Sequence, residues 1–323
     1  MKKTNTLDII KPIDQLNLYG YSFYFDLFIK LFKEVKIPST ILLNGTKGLG
    51  KSTFIYHFIN YIFSQNEDKK YDISQKRINE NNRSYKLVNK NIHPNFFSLS
   101  TSAEKKEIRV DETRRLLSFL SKSTYSLGTK YVLIDSADKL NLNSSNSLLK
   151  ILEEPPKNVF FFIINDSKKK ILPTIKSRSH EFKIHFTLDE KENIFSKIIS
   201  DYNIDINAKN TIKKFYFDSP GNLLKYSLIM SESNIDINEN IYDSIIYMID
   251  LYKKNKDDKT LIFISLFIEV FYNQLCLSNS KNLNIHFFNK EKISNYFNDM
   301  KKYNLNESNI FFNIKDILKN EVK

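Results

Sequence analysis

Apolar positions fall in two regimes along the chain. Up to about residue 187, short apolar runs alternate with helical stripes. Ile41-Leu42-Leu43, Tyr131-Val132-Leu133-Ile134 and Val159 to Ile164 are uninterrupted runs of strand length, the pattern of strands covered on both faces. Phe96 to Leu99 predicts a short extended stretch after His93-Pro94. His180 to Phe186 alternates, with Phe182, Ile184 and Phe186 on one face, as a half-buried strand does. Between these runs, helical spacing predicts Phe23 to Phe32 and an amphipathic helix over Phe54 to Phe63. A third helix opens with Asp111 as N-cap, carries Leu116, Leu117 and Leu120, and ends near Gly128. A fourth, Ser144 to Glu154, starts at Asn143 or Ser144 and is stopped by Pro155-Pro156. Leu172 to Ser179 reads as a short helix or turn. Strands separated by helices predict a parallel α/β sheet.

Beyond Thr187 strand signals vanish. Helical patterns continue with breaks near Asn203-Ile204-Asp205, Asp218-Ser219-Pro220-Gly221 and Glu232 to Ile237. The expected division is an α/β domain over 1–187, a small three-helix domain over 188–233 and a helical bundle over 234–323. The stripes in Tyr242 to Tyr252, Leu261 to Leu275, Ile293 to Tyr303 and Phe311 to Leu318 read as core or subunit interface. Ser64 to Asn91 is polar and weakly periodic, a surface insertion with some helix, and no internal repeat is present.

The candidate chemistry lies between the first apolar run and the helix after it. Gly45-Thr46-Lys47-Gly48-Leu49-Gly50-Lys51-Ser52-Thr53 has the P-loop spacing in its required strand–loop–helix setting. Glycines let the backbone approach phosphates, N–H groups and the helix N-terminus face the anion, and Lys51 adds a charge. Ser52 is placed to hold a magnesium ion. Only six glycines occur in the chain and three fall in this loop, which argues against a compositional accident. Asp135 and Asn165 end two other strands, at the carboxyl edge where such sheets bind ligands. Asp135 is a carboxylate on the magnesium side or a strand cap; Asn165 is a phosphate sensor or a polar strand end. His57 reads as packed or solvated.

Charge and cysteine narrow the classes. The net charge of +12 suits a polyanion or an acidic partner, although the lysines are interspersed with carboxylates and many are simply solvated. Lys168-Lys169-Lys170 and Arg114-Arg115 are candidates for DNA phosphates on the same terms. Cys276 is the single cysteine, so a disulfide or a cysteine-built zinc site within the chain is excluded. Met1 to Lys11 lacks the apolar core of a signal peptide, and the longest apolar run, Leu261 to Phe271, is too short to span a bilayer. A cytoplasmic protein without a membrane partner is expected.

One stretch is more discriminating than the P-loop. Asn146-Ser147-Leu148-Leu149-Lys150-Ile151-Leu152-Glu153-Glu154-Pro155-Pro156, followed by Leu172-Pro173-Thr174-Ile175-Lys176-Ser177-Arg178-Ser179, resembles the AAA+ subunits of the bacterial DNA polymerase III clamp loader. Among these the chain is most similar to the delta-prime type. Asp135-Ser136-Ala137-Asp138 stands at the family's Walker B segment and His93-Pro94 at a similar pair, so the motifs cover roughly residues 18 to 225. The resemblance implies an AAA+ P-loop domain, a helical lid and a C-terminal helical collar. It implies that Arg178 is an arginine finger acting in trans and that the P-loop takes ATP or ADP with magnesium; with a single cysteine, no zinc is expected. Implied partners are gamma/tau-type motor subunits and a delta subunit in a hetero-oligomeric ring, the sliding clamp, and primed DNA through the assembled complex.

Departures refine the expectation. Ser136 stands where motor subunits carry an acidic base, and it cannot polarise water as a carboxylate does. Asp218-Ser219-Pro220-Gly221 lacks the lid arginine, Ser179 replaces a cysteine, and the family's four-cysteine zinc module is missing from Ser64 to Asn91. That insertion is therefore stabilised in another way or is mobile. The expected protein is a non-motor subunit whose own ATPase activity is weak or absent; the alternative is an ATP-hydrolysing gamma/tau-type motor.

Overall fold

A computed structural model describes residues 11–100, 107–122, 128–202, 215, 218–232, 240–256, 258–278, 282–303 and 305–322. Strands β1 (Thr40–Gly45), β2 (Phe96–Leu99), β3 (Lys130–Ile134), β4 (Val159–Asp166) and β5 (His180–Lys183) form one parallel sheet in the order β2-β3-β4-β1-β5. The expected parallel α/β sheet is what forms. Its apolar runs are continuous because both faces are covered. Ile41, Leu43, Leu133, Phe162 and Ile164 face one core; Leu42, Val132, Ile134, Phe161 and Ile163 face the other. The first core is closed by helices α1 (Ser22–Lys33) and α2 (Lys51–Phe63), the second by α4 (Val110–Ser121), α5 (Leu142–Glu153) and the short α6 (Pro173–Ser177). Aromatic contacts fix the first: Phe54 stacks on Tyr21 at 4.8 Å and meets Phe28 edge-on at 4.9 Å.

Helix α2 is not amphipathic in effect. Eleven of its thirteen residues are buried, among them His57 and Asn60. The cause is the insertion, which folds over the polar side of α2 instead of projecting from it. Asn60 donates to Asn82 Oδ1 (3.2 Å), and Asn82 donates to Lys69 O (2.9 Å) and accepts from Tyr85 N (2.7 Å) as the cap of α3 (Arg83–Asn89). Glu67 also accepts the N–H groups of Arg83 and Ser84 at the start of that helix (2.9 and 3.0 Å). These hydrogen bonds, with buried Tyr71, Ile78 and Val88, stabilise the segment.

Three expected boundaries shift. Asp111 is not the cap of α4: Arg109 is, its N–H donating to Glu112 Oε2 at 3.0 Å, while Asp111 is exposed and pairs with Arg114. The helix stops at Ser121, short of Gly128, because buried Lys130 donates to the carbonyls of Phe119 (2.7 Å), Leu120 (3.0 Å) and Lys122. In α5 the cap is Asn141, accepting from Ser144 N at 2.8 Å, and Ser144 points inward with its hydroxyl on Ile108 O.

Helices α7 (Leu188–Asp201) and α8 (Pro220–Glu232) follow β5. The breaks expected near Asn203-Ile204-Asp205 and after Glu232, with any helix over 203–214, lie outside the described residues. Two compact units result: Met1–Ile204 with Phe217–Leu224, and Asp205–Tyr216 with Lys225–Lys323. The second contains α9 (Ile241–Asn255), α10 (Asp258–Ser278), α11 (Leu283–Tyr303) and α12 (Glu307–Val322). It is cored by residues such as Ile249, Phe263, Ile293 and Phe311. Buried His286 and half-buried Asn289 on α11 both bind Glu321 on α12, each at 2.7 Å. No described helix is long and apolar enough to cross a membrane.

Candidate nucleotide site and arginine finger

Strand β1 delivers the chain to Gly45 at the carboxyl edge of the sheet, and α2 begins six residues later at Lys51. Gly50 is the N-cap of α2 and offers no side-chain acceptor, so the first-turn N–H groups are left for an anion. Lys51 is buried, and its Nζ donates to Gly45 O (2.6 Å) and Thr46 O (2.8 Å). Burial pulls its pKa down to about 8, against the opposing pull of Asp166, Asp135 and Asp138. Lys47 is exposed, Thr46 and Thr53 are half-buried, and buried Leu49 accepts the Tyr21 hydroxyl on its carbonyl at 3.0 Å.

The two magnesium candidates come together, since Ser52 Oγ donates to Asp135 Oδ2 at 2.7 Å. Ser136, next in the chain, adopts a left-handed φ of 65°. Asn165 is buried; its amide donates to Asn44 Oδ1 and Asp166 O, both at 3.1 Å, and its Oδ1 has no partner among the described residues. Uncapped N–H groups and a hydroxyl–carboxylate pair fit a nucleotide phosphate with magnesium, whereas the free Asn165 oxygen can only accept and suits a water or hydroxyl donor.

Sequence reading expected helix in this region but missed that α8 returns to the P-loop. Ser219 Oγ donates to Lys47 O (2.7 Å), Gly221 N to Gly48 O (3.0 Å) and Asn222 Nδ2 to Lys47 O (3.5 Å). Gly48 has φ 86°, and a Cβ on Gly221 would stand 2.6 Å from Gly48 O, so both positions require glycine. The Pro-Gly pair at 220–221 carries the only legible signal, that of a turn or helix start. No arginine occupies this end of α8.

Arg178 lies elsewhere. It is the C-cap of α6, two residues before β5 begins, and His180 of β5 is paired with Ile41 near the start of β1. The P-loop follows the other end of β1, a strand rise of about 13 Å farther on. Nη2 of Arg178 donates to Glu153 Oε1 (2.5 Å), and Nη1 donates to Thr174 O (3.0 Å) and Ser177 Oγ (3.3 Å). The structure thus groups the P-loop with Asp135 and Asn165, and separates Arg178 from them.

A P-loop on strand β1, interior between β4 and β5 in a β2-β3-β4-β1-β5 parallel sheet, with a helix laid back on the loop, makes this an AAA+ protein. The family model described as DNA polymerase III, delta subunit matches residues 22–187, and the chain belongs to that family. Subunit delta' of DNA polymerase III from Pseudomonas aeruginosa is 32% identical over 137 residues, 42% of this chain and 40% of that protein. Subunit delta' from Buchnera aphidicola subsp. Schizaphis graminum is 27% identical over 213 residues (61% and 62%), and subunit gamma from the same organism is 28% identical over 217 (64% and 56%). The matches therefore span from 40% to 62% of the length of these relatives. A solved DNA polymerase III gamma subunit-related protein from Thermotoga maritima aligns with a TM-score of 0.46 at 16% identity, covering 91% of this chain and 99% of that one.

Proposed function

We propose that the chain is a delta-prime-type subunit of the bacterial DNA polymerase III clamp loader. It donates Arg178 to the ATP site of a neighbouring gamma/tau-type subunit and helps load the sliding clamp onto primed DNA. The observation that carries this reading is the position of Arg178 at the amino edge of the sheet, away from the chain's own P-loop at the carboxyl edge. A guanidinium so placed serves a phosphate held by another chain, where it stabilises charge developing on the transferred phosphoryl group. The chain's own pocket takes ATP or ADP with magnesium through 45–53, Ser52, Asp135 and Asn165. It turns over slowly because Ser136 supplies no carboxylate.

The test is clamp- and primed-DNA-stimulated ATPase of a reconstituted loader carrying Arg178→Ala. The rate at the neighbouring site is expected to fall by about three orders of magnitude while the complex stays assembled. An unchanged rate in an intact complex would make Arg178 structural. A second reading, an ATP-hydrolysing motor subunit, is favoured by the complete P-loop and the similarity to gamma subunits. Turnover by the isolated chain that is abolished by Lys51→Ala would establish it.

A further inference from the structure

We infer that Glu153 is the positioning residue for Arg178, holding the guanidinium in the pose from which it meets a phosphate on a neighbouring chain. This rests on the reading of Arg178 given above. Thr174 O and Ser177 Oγ, which accept from Nη1, belong to the arginine's own helical turn. Glu153 is the partner supplied by a different element, the last residue of α5, and it accepts from Nη2 at 2.5 Å. Its place is set by chemistry: Pro155 and Pro156 cannot continue the helix, so the chain must leave α5 at this point.

Donor arithmetic agrees with a held but available finger. A guanidinium has five N–H donors. The three acceptors use three of them, leaving two for an anion among the described residues. The side chains of Arg178 and Glu153 are 32% and 50% exposed, a setting in which an ion pair adds little to stability. What the contact supplies is orientation of a long, rotamer-rich side chain. Glu181, the carboxylate three residues along the chain, is already bound to Asn44 (2.7 Å) and Lys176 (3.2 Å).

The experiment compares the reconstituted loader carrying wild-type protein, Glu153→Ala, Glu153→Gln, Arg178→Ala and the Glu153→Ala/Arg178→Ala double variant. Stimulated ATPase is resolved into kcat and KM, with assembly checked by gel filtration. Glu153→Ala is expected to lower kcat at the affected site on the order of tenfold with KM unchanged, the cost of a mobile catalytic group. Glu153→Gln, whose amide oxygen still accepts, should restore most of it. The double variant should be no slower than Arg178→Ala, because both act through one guanidinium. A wild-type or faster rate for Glu153→Ala, beside a slow Arg178→Ala, would overturn the positioning role alone. Full activity of Arg178→Ala in an assembled complex would overturn the reading of Arg178, and this inference with it.

Discussion

Acid should loosen the P-loop domain through one side chain. His57 lies on the helix that follows the P-loop and is fully buried. Its Nε2 is 3.1 Å from the Gln15 carbonyl oxygen, which can only accept, so Nε2 carries the hydrogen. Its Nδ1, 3.0 Å from the Tyr71 hydroxyl, then accepts, and burial raises the Tyr71 pKa so that this hydroxyl keeps its proton. Both nitrogens are used by the neutral ring. Burial accordingly holds the His57 pKa down at about 3, against a smaller opposing pull from the Gln15 carbonyl. In the unfolded chain the same imidazole titrates near 6.5. Below that pH the unfolded state binds a proton that the folded state refuses, so stability is full above about 6.5 and is lost as pH falls toward about 3. From pH 7 to pH 5 the loss is about 2 kcal/mol, set almost wholly by the unfolded value. The assay is urea unfolding at both pH values, read by hydrogen exchange at the α2 amides, for wild-type protein and His57→Gln. Every other group titrates in both proteins, so the difference in pH dependence isolates His57. Equal pH dependence in the two would refute the buried neutral ring.

Two further substitutions probe contacts that sequence patterns do not announce. Gly221→Ala would ordinarily raise helix stability by up to about 1 kcal/mol. Here its Cβ would meet Gly48 O, so a loss of roughly 1–3 kcal/mol is expected in thermal unfolding of the purified protein. A gain would mean that α8 does not pack on the loop. Asn82→Ala removes the cap of α3 and two further hydrogen bonds, one buried and one half-buried, and is expected to cost roughly 2–3 kcal/mol locally. Limited proteolysis should then cut within 64–91 in preference to the sheet; an unchanged pattern would show the segment to be held by its few apolar residues.

What the chain's pattern made legible was the part organised by burial and by spacing. The strands could be read because parallel strands covered on both faces are continuously apolar, as Ile41 to Leu43 and Val159 to Ile164 are. The P-loop could be read because its glycines and lysine must stand at fixed intervals. The insertion could not. Its buried apolar side chains, Tyr71, Ile78 and Val88, are few and widely spaced, and its cohesion comes from side-chain hydrogen bonds that leave no periodicity. Asn82, three residues before Tyr85, was a cap signal hidden in a run of asparagines. Helix α4 ended early for a related reason: Lys130 reads as a strand-edge lysine, and only the fold reveals that its ammonium takes the helix's last carbonyls.

The contact between Gly48 and Gly221 has a consequence for the order in which the protein forms. Its partners are more than 170 residues apart in the chain. Closing so long a loop costs on the order of 4–5 kcal/mol in chain entropy. It is favourable only once the sheet between them exists to hold the ends near. On a ribosome adding about 5–20 residues per second, β1 and its loop emerge roughly 10–35 s before the segment that covers them. During that interval the nascent domain carries its phosphate loop without the helix that clasps it. The last piece of this domain to be synthesised is thus the one that completes its first functional motif.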